Sequence, residues 1–308
     1  MLGDKIKKYV ISCGYMLWIR YKFNSYSKER KKYKIVNALG TVKYIDRNKC
    51  SVSRYGDGEL NMVFQFLYGK NVVGESFQDY DERLAERLVE ILQNNRYNND
   101  KHIVCIPYWL LNTSVYKNSV RYYCESYYCT HRYGFLHAIN CERLYFDTNI
   151  SRFYLSFKNK KHCRLYIEQL KKIWAGRNIC FVEGSHTRLG IGNDLFKSAL
   201  SITRILCPAV NAFTNYDLIL KTAMERPKDT LFLIALGHTA TVLAYDLSNA
   251  GYQAIDIGHI DVEYEWMLMG AKTKVSLKNK YVNEVESGHI NTECDDIEYA
   301  SQIIARIK

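Results

Sequence analysis

Two carboxylates directly after a short apolar run are the first residues in this chain that could do chemistry. Asp57 and Glu59 flank Gly58, and the preceding run Cys50–Tyr55 predicts a strand that ends at Gly56. An Asp-x-Glu pair in this position can hold a divalent cation, because Mg²⁺ and Mn²⁺ favour carboxylate oxygens, water and substrate phosphate. Asp-Gly-Glu is also a common turn sequence, so these residues alone leave an ordinary strand-to-helix turn open.

A second strand-to-helix turn has the features of a phosphate site. The apolar run Leu231–Leu236 stops at Gly237, and the segment His238–Thr241 then opens a helical pattern. The first N–H groups of a helix lack internal partners and its dipole favours an anion, so such a turn can receive a phosphate. A further short strand, Gln253–Ile257, completes a strand-helix-strand unit.

Two arginines offer guanidinium groups near these turns. Arg54 precedes the carboxylate pair and could contact a phosphate or form an ion pair. Arg188 lies in the glycine-punctuated stretch Glu183–Asp194, which lacks the spacing of a Walker A loop or a dinucleotide-binding loop. An anion contact there competes with an ordinary connection in which Asn193 or Asp194 caps a helix over Asp194–Leu200.

Four polar residues at alternate positions, His259, Asp261, Glu263 and Glu265, follow the strand Gln253–Ile257. They share one face if the segment is extended, whereas Asp261 and Glu265 share a face in a helix. Clustered carboxylates repel, so a metal or an arginine is expected to neutralise at least one of them unless it holds its proton. A carboxylate here could be the general base for a sugar hydroxyl, and a solvated acidic helix start is the competing explanation.

Apolar strand patterns alternate with helical patterns at least five times along the chain. The predicted helices include Asp79–Gln93, Cys163–Trp174 and Tyr216–Met224, and a terminal helix is predicted from Thr292–Tyr299 onward with Ile303, Ile304 and Ile307. This alternation predicts an α/β fold with a mostly parallel sheet, helices on both faces, and ligands bound beyond the carboxyl ends of the strands.

The net charge of +11 is concentrated at one end of the chain. Residues 1–34 contain ten Lys/Arg and two Asp/Glu, so most of the excess lies there and no nucleic acid is expected as a partner. The apolar run Tyr9–Ile19 is too short to span a bilayer, which takes about 20 residues. This basic, aromatic segment could lie on an anionic membrane surface or pack on the protein's own body, and both remain open.

Five stretches together resemble the GT-D glycosyltransferases, first described as domain of unknown function 1792. They are SRYGDGEL (53–60), DTNISRFY (147–154), VEGSHTRLGIGNDLF (182–196), ALGHTATVLAYDL (235–247) and GYQAIDIGHIDVEYEW (251–266). The resemblance covers residues 45–285, which we expect to be the glycosyltransferase domain. Residues 1–44 and the tail 286–308 lie outside it.

The resemblance implies a Rossmann-like, metal-dependent glycosyltransferase that uses Mn²⁺ or Mg²⁺ and a UDP-sugar such as UDP-glucose. It assigns the metal to Asp57 and Glu59. It assigns the donor to Arg54, Glu183, Arg188, Asn193, Gly237, Thr239, Ala240 and Thr241. Of the catalytic candidates His259, Asp261, Glu263 and Glu265, we select Glu265 as the base. His238 stands where the family usually has proline.

The expected acceptor is a carbohydrate, in lipid-linked form or not, used for cell-surface polysaccharide or glycoprotein synthesis. We expect a cytoplasmic protein that associates with the inner face of the membrane through residues 1–34. The alternative function is a nucleotide-binding Rossmann-like module without transferase activity.

Overall fold

The computed structural model describes residues 2–69, 77–94, 101–278, 280–282, 285, 288 and 294–308, with the side chains of residues 2–13 left out. Its strands, numbered along the chain, are β1 (Lys34–Val36), β2 (Ser51–Arg54), β3 (His102–Ile106), β4 (Leu144–Asp147), β5 (Asn178–Gly184), β6 (Ser201–Cys207), β7 (Leu231–Ala235), β8 (Gln253–Asp256) and β9 (Ile303–Arg306). These nine strands form one sheet in the order β1-β4-β3-β2-β8-β7-β5-β6-β9, and neighbouring strands are parallel.

The helices are α1 (Leu2–Ser25), α2 (Ser27–Arg30), α3 (Ala38–Asn48), α4 (Asp57–Tyr68), α5 (Glu82–Gln93), α6 (Asn118–Ala138), α7 (Cys163–Trp174), α8 (Tyr216–Met224), α9 (His238–Asn249), α10 (Ile260–Leu268) and α11 (Ile297–Gln302). Short 3₁₀ helices cover Tyr108–Leu110, Thr148–Ser151 and Ala212–Asn215. Most strands alternate with helices, as the sequence predicts.

Helices cover both faces of the sheet because the strands are apolar on both faces. In β7, Phe232 and Ile234 point to a core shared with α4, α5, α6, α8 and α9. Leu231 and Leu233 point to the opposite core, which is shared with α3, α7 and α10. Continuous apolar strands of this kind are typical of parallel sheets buried on both sides. The predicted fold class is confirmed.

Side-chain caps fix where several helices begin. Asn37 accepts a hydrogen bond from the Gly40 N–H at 2.9 Å and starts α3. Asp81 accepts one from the Leu84 N–H at 2.9 Å and starts α5. Each such cap stabilises its helix by about 1 kcal/mol.

The predicted helix over Asp194–Leu200 is wrong, because this segment forms a series of turns. Asn193 accepts a hydrogen bond from the Leu195 N–H at 3.0 Å, as a cap can, but no helix follows. Leu195 and Phe196 are both buried, and adjacent residues do not share one face of a helix. The Leu195 carbonyl instead accepts a hydrogen bond from the Trp174 indole N–H at 2.9 Å.

The predicted terminal helix is correct only in part. It covers Ile297–Gln302, and Ile303 and Ile304 belong to β9, which pairs with β6. Residues 292–293 of the prediction lie outside the described residues. Strands β1 and β9 lie outside residues 45–285, the predicted glycosyltransferase domain, and form the two edges of the same sheet. The predicted domain boundaries stay a prediction.

The amino-terminal helix α1 packs against α6 through Ile19 and Phe23, which are buried. Arg20 donates a hydrogen bond to Glu125 of α6 at 3.3 Å. Tyr15, Leu17, Trp18 and Tyr21 of α1 are exposed. Within the part of the chain that the structure describes, no helix has the length and hydropathy needed to cross a membrane.

The connections of the central strands diverge, which opens the carboxyl edge of the sheet. From β5 the chain proceeds outward to β6, whereas from β7 it returns inward to β8. Loops that leave neighbouring strands in opposite directions create a crevice, and ligands of open α/β sheets bind there.

Candidate active site

A cavity of about 770 Å³ lies at this edge of the sheet. Segments that follow β2 to β8 line it, together with the first half of α6 and parts of the chain after α10. The described lining residues include five acidic side chains, Asp57, Glu59, Asp256, Asp261 and Glu263, and three basic ones, Arg54, Arg152 and Lys274. The described lining residues that follow β5, β6 and β7 include no Asp, Glu, Lys or Arg, and two of them, His186 and His238, are histidines.

The Asp57-Gly58-Glu59 turn begins α4 and lines the cavity. Oε2 of Glu59 accepts the Gly56 N–H at 2.8 Å, which caps the helix. Oδ2 of Asp57 accepts the Tyr123 hydroxyl at 2.5 Å. Among the described residues no group of three or more His, Cys, Asp or Glu side chains is arranged to hold a metal. Two carboxylates still fit Mg²⁺, which commonly takes its other ligands from water and substrate phosphate.

Arg54 connects three segments at the base of the cavity. Its Nε donates to the Asp256 carbonyl at 2.8 Å, and Nη2 donates to Asp256 Oδ1 at 2.7 Å. Its Nη1 donates to the Ser151 hydroxyl at 2.7 Å and to the Thr148 carbonyl at 3.2 Å. A Cβ at Gly258 would lie 2.1 Å from Nη2 of Arg54, so only glycine fits beside it. The guanidinium therefore positions the loops after β2, β4 and β8.

Asp256, which the sequence analysis did not select, is the acidic partner of Arg54 at the end of β8. Burial raises the pKa of Asp256 to about 6, against the opposing charge of Arg54. A carboxylate inside an otherwise apolar strand was the available sequence signal. Arg152, which lies in the stretch DTNISRFY, also lines the cavity and contacts His259.

The segment after β8 is helical, so Asp261 and Glu265 lie on one face of α10. The Asn193 amide donates to Asp261 Oδ1 and to Glu265 Oε1, both at 2.7 Å. Lys280 donates to Asp261 Oδ2 at 2.6 Å and to Glu265 Oε1 at 3.1 Å. The cation that the acidic cluster requires is thus a lysine, which no sequence pattern indicated. Asp261 lines the cavity.

Glu263 points to a different side of α10 and holds another loop. Its Oε2 accepts the N–H groups of Tyr154 and Leu155, both at 2.9 Å. Arg152 lies 4.0 Å from Oε1 of Glu263. The structure therefore separates the four predicted catalytic residues into the pair Asp261 and Glu265 on one side and Glu263 with His259 on the other.

Glu183 and Arg188 are buried beside the cavity. Oε1 of Glu183 accepts Nη1 of Arg204 at 2.6 Å, and Oε2 accepts the Leu189 N–H at 2.7 Å. Burial is the largest influence on Glu183 and raises its pKa, although Arg204 opposes the shift. Arg188 has a left-handed backbone conformation at φ 53°. Glu183 thus shapes the loop after β5 through the Arg204 pair.

The first turn of α9 borders the cavity at Gly237 and His238, while Thr239, Ala240 and Thr241 are buried behind it. Gly237 has φ 54°, and a Cβ there would lie 2.6 Å from the Phe77 ring. The Thr241 hydroxyl donates to the Arg54 carbonyl at 2.9 Å, which ties α9 to β2.

Aromatic residues that the sequence analysis left unassigned form one wall of the cavity. Trp109 follows β3, while Tyr116 and Tyr123 lie just before and within α6. Helix α6 shows only weak periodicity in the sequence, because it has a kink at His131 and buries the adjacent residues Tyr127 and Tyr128.

The fold and the cavity define a Rossmann-like α/β protein with a ligand site at the carboxyl edge of its sheet. The family model described as "Glycosyltransferase GT-D fold" matches residues 52–285, and the chain belongs to this family. The family and the glycosyltransferase class predicted from the sequence are thereby confirmed.

Two curated streptococcal proteins are similar to this chain. Glycosyltransferase GlyD of Streptococcus pneumoniae serotype 4 is 37% identical over 267 residues, which are 87% of this chain and 32% of that protein. The probable glycosyl transferase Gly of Streptococcus gordonii is 33% identical over 279 residues, which are 91% of this chain and 39% of that protein. The chain therefore spans about a third of the length of the curated relatives that it matches.

Solved structures have the same fold. A structure of domain of unknown function 1792, described as having a distinct glycosyltransferase fold, is 39% identical with a TM-score of 0.85, over 93% of this chain and 100% of that one. A glycosyltransferase of this kind from Streptococcus sanguinis is 34% identical with a TM-score of 0.80, over 90% of this chain and 100% of that one.

Proposed function

We propose that this protein transfers a hexosyl group from a UDP-sugar, UDP-glucose or a related UDP-hexose, to a carbohydrate acceptor with the help of Mg²⁺ or Mn²⁺. One observation supports the proposal above all: the Asp57-Gly58-Glu59 turn and the first turn of α9 line the same cavity. A turn suited to a cation and a helix end suited to a phosphate fit a substrate that contains a diphosphate.

Asp57 and Glu59 would hold the cation. The bound cation would supply positive charge against the negative charge of the diphosphate leaving group. Tyr123 fixes one oxygen of Asp57 by its hydrogen bond, and the helix cap fixes one oxygen of Glu59. Both carboxylates are therefore oriented before a ligand arrives, which lowers the entropic cost of binding.

Glu265 remains our choice as the base that accepts the proton of the acceptor hydroxyl. The described hydrogen bonds to Glu265 end on Oε1, whereas Asp261 receives one on each oxygen. Asp261 lines the cavity and is the second candidate. In either case Asn193 and Lys280 orient the carboxylate, and a base must lie within hydrogen-bond reach of the hydroxyl.

The other predicted donor residues have different parts in this proposal. Arg54 and Glu183 position loops, because their polar atoms already bond within the protein. Gly237 allows the Phe77 ring to approach the start of α9 closely. The donor diphosphate would lie at the first turn of this helix. Thr241 connects this turn to β2 through the Arg54 carbonyl.

We further propose that α1 brings the enzyme to an anionic membrane surface, where a lipid-linked precursor of a cell-surface glycan would be the acceptor. Leu17, Trp18 and Tyr21 are exposed, and Nζ of Lys22 lies 4.5 Å above the Trp18 ring. Aromatic side chains beside lysines are typical of helices that lie in a membrane interface.

UDP release from a panel of UDP-sugars, measured with Mn²⁺ and with EDTA, tests the function. Asp57→Asn and Glu59→Gln should abolish metal-dependent release, since glutamine can still cap α4 through its amide oxygen. Asp217→Asn is the control, because Asp217 forms an exposed pair with Arg83. Metal-dependent release unchanged in both variants contradicts the metal assignment. Binding of UDP without release for any donor and acceptor indicates the nucleotide-binding module instead.

A further inference from the structure

His238 is a buried histidine that faces the cavity. It is the first residue of α9, its exposed fraction is 1%, and it lines the cavity next to Gly237. Among the residues that the structure describes, neither Nδ1 nor Nε2 of His238 has a hydrogen-bond partner. Burying unpaired polar atoms costs free energy, so an unpartnered imidazole at a cavity wall indicates a ligand.

His102, a second buried histidine, differs from His238 in its hydrogen bonding and in its position. Its Nε2 pairs with the Ser53 hydroxyl at 2.9 Å, deep between β2 and β3. His102 lies outside the cavity lining, whereas His238 combines the lining position with two unpartnered ring nitrogens. A hydrogen bond thus holds one nitrogen of His102 within the core, although its Nδ1 has no partner among the described residues, whereas at the cavity wall both nitrogens of His238 lack one.

The His238 ring has a fixed orientation. It stacks on Phe77 with the ring centroids 5.5 Å apart and the planes 23° apart. Gly237 provides the space for this stack, because a Cβ there would lie 2.6 Å from Phe77. Stacking occupies a face of the imidazole, and hydrogen bonds form at its edge, where the nitrogens are.

The chemistry around His238 favours an anion. The ring stands at the amino terminus of α9, a helix of twelve residues, where the helix dipole is positive. The carboxylates of the cavity follow β2 and β8, and the described lining residues after β5, β6 and β7 include no acidic side chain. In either neutral tautomer one imidazole nitrogen carries a hydrogen to donate.

We propose that His238 donates a hydrogen bond to a phosphate oxygen of a nucleoside diphosphate and so recognises the phosphate end of the donor. This inference rests on the proposed function. It assigns a specific contact to His238, which stands where the family usually has proline. Proline fits the first position of a helix but has no side-chain hydrogen-bond donor.

Calorimetric titration of the full chain with Mg²⁺ present tests the contact, with UDP, inorganic pyrophosphate and uridine as probes. His238→Phe keeps a ring against Phe77 and removes both nitrogens. We expect the Kd of UDP and of pyrophosphate to rise about tenfold, the size expected for one lost hydrogen bond to a charged group. Uridine, which has no phosphate, should bind both proteins equally. His137→Phe, at an exposed position of α6, is the matched control.

Several outcomes overturn the proposal. Equal UDP affinity of wild type and His238→Phe refutes it, even if the wild type transfers sugar. If the wild type binds pyrophosphate through His238 but releases no sugar with any donor, the contact stands and the transferase function fails. If His238→Phe does not fold, the ring ¹⁵N resonances of His238 in the wild type decide, because they should shift when pyrophosphate is added and stay unchanged if the proposal is wrong.

Discussion

The ammonium of Lys280 lies 2.6 Å from Oδ2 of Asp261, and both side chains are almost completely buried. The same ammonium lies 3.1 Å from Oε1 of Glu265. One lysine thus offsets part of the negative charge of two carboxylates that stand four residues apart on α10, and Asn193 donates to both of them. Lys280 and Asn193 thus reduce the repulsion between the two carboxylates beside the cavity.

Lys280→Met should destabilise the protein by about 3 kcal/mol, because removing one partner leaves buried charge uncompensated. Urea unfolding followed by circular dichroism measures the loss. The exposed Lys278→Met is the control for removing a lysine from the same segment. In a double-mutant cycle, adding Asp261→Asn should recover part of the loss. Additive effects of the two substitutions would show that the pair is not coupled.

Asp256 should make stability depend on pH. Burial raises its pKa from 3.8 to about 6, so the folded protein binds this proton more tightly than the unfolded chain does. The resulting stabilisation is complete below pH 3.8 and is lost as the pH rises through about 6. Asp147 behaves in the same way, because burial also raises its pKa to about 6.

Asp256→Asn should therefore flatten the decline of unfolding free energy across this window, by up to about 1.4 kcal/mol per pH unit. Urea unfolding at half-unit pH steps measures this slope. The remaining slope is expected from Asp147, and Asp295→Asn at an exposed position serves as the control. A slope identical to that of the wild type would show that Asp256 does not titrate as stated.

Tyr123→Phe should weaken metal binding while leaving the fold intact. The side chain is 51% exposed, so loss of its hydroxyl should change the unfolding free energy by less than about 0.5 kcal/mol. The same hydroxyl donates to Asp57 at 2.5 Å, and an unsupported carboxylate is less well oriented. We expect the Kd of Mn²⁺ in the presence of UDP to rise about tenfold. Tyr133→Phe, at an exposed position of the same helix, should bind Mn²⁺ like the wild type.

Leu17→Glu combined with Trp18→Glu should reduce binding to vesicles that contain phosphatidylglycerol. Each apolar side chain withdrawn from water contributes about 1.5 kcal/mol, so co-sedimentation should weaken at least tenfold. Leu165→Glu, at an exposed leucine of α7, controls for the added negative charge. Vesicle binding by the double variant at the wild-type level would contradict the membrane role of α1.

The sequence predicts those parts of the fold whose signal is local. Leu231–Ala235 is an unbroken apolar run, and β5 contains another one, Ile179–Val182. Amphipathic spacing predicts the helix Cys163–Trp174 with the bounds that the structure has. Strand β1 has only three residues, which is too short for a recognisable pattern. The spacing of Ile303 and Ile304 predicts a continued helix, whereas the structure pairs them with β6, a contact distant in sequence that no local pattern shows.

The candidate site also contains residues that the sequence predicts and residues that it does not. Asp57 and Glu59 could be placed at the cavity because the carboxyl end of a strand precedes them. The partners Arg204 of Glu183 and Lys280 of Asp261 could not, because neither follows from spacing. Glu183 meets Arg204 through the register of β5 and β6, and Lys280 comes from a segment without a periodic pattern.

The excess of carboxylates over basic groups in the cavity has a consequence for how substrates enter. A free nucleotide, itself an anion, would meet electrostatic repulsion from Asp57, Glu59 and their acidic neighbours. We expect the cation and the nucleotide to bind in mutual dependence, each lowering the dissociation constant of the other by the same factor. A screen of ligands performed in a chelating buffer would therefore miss the substrates that the enzyme uses.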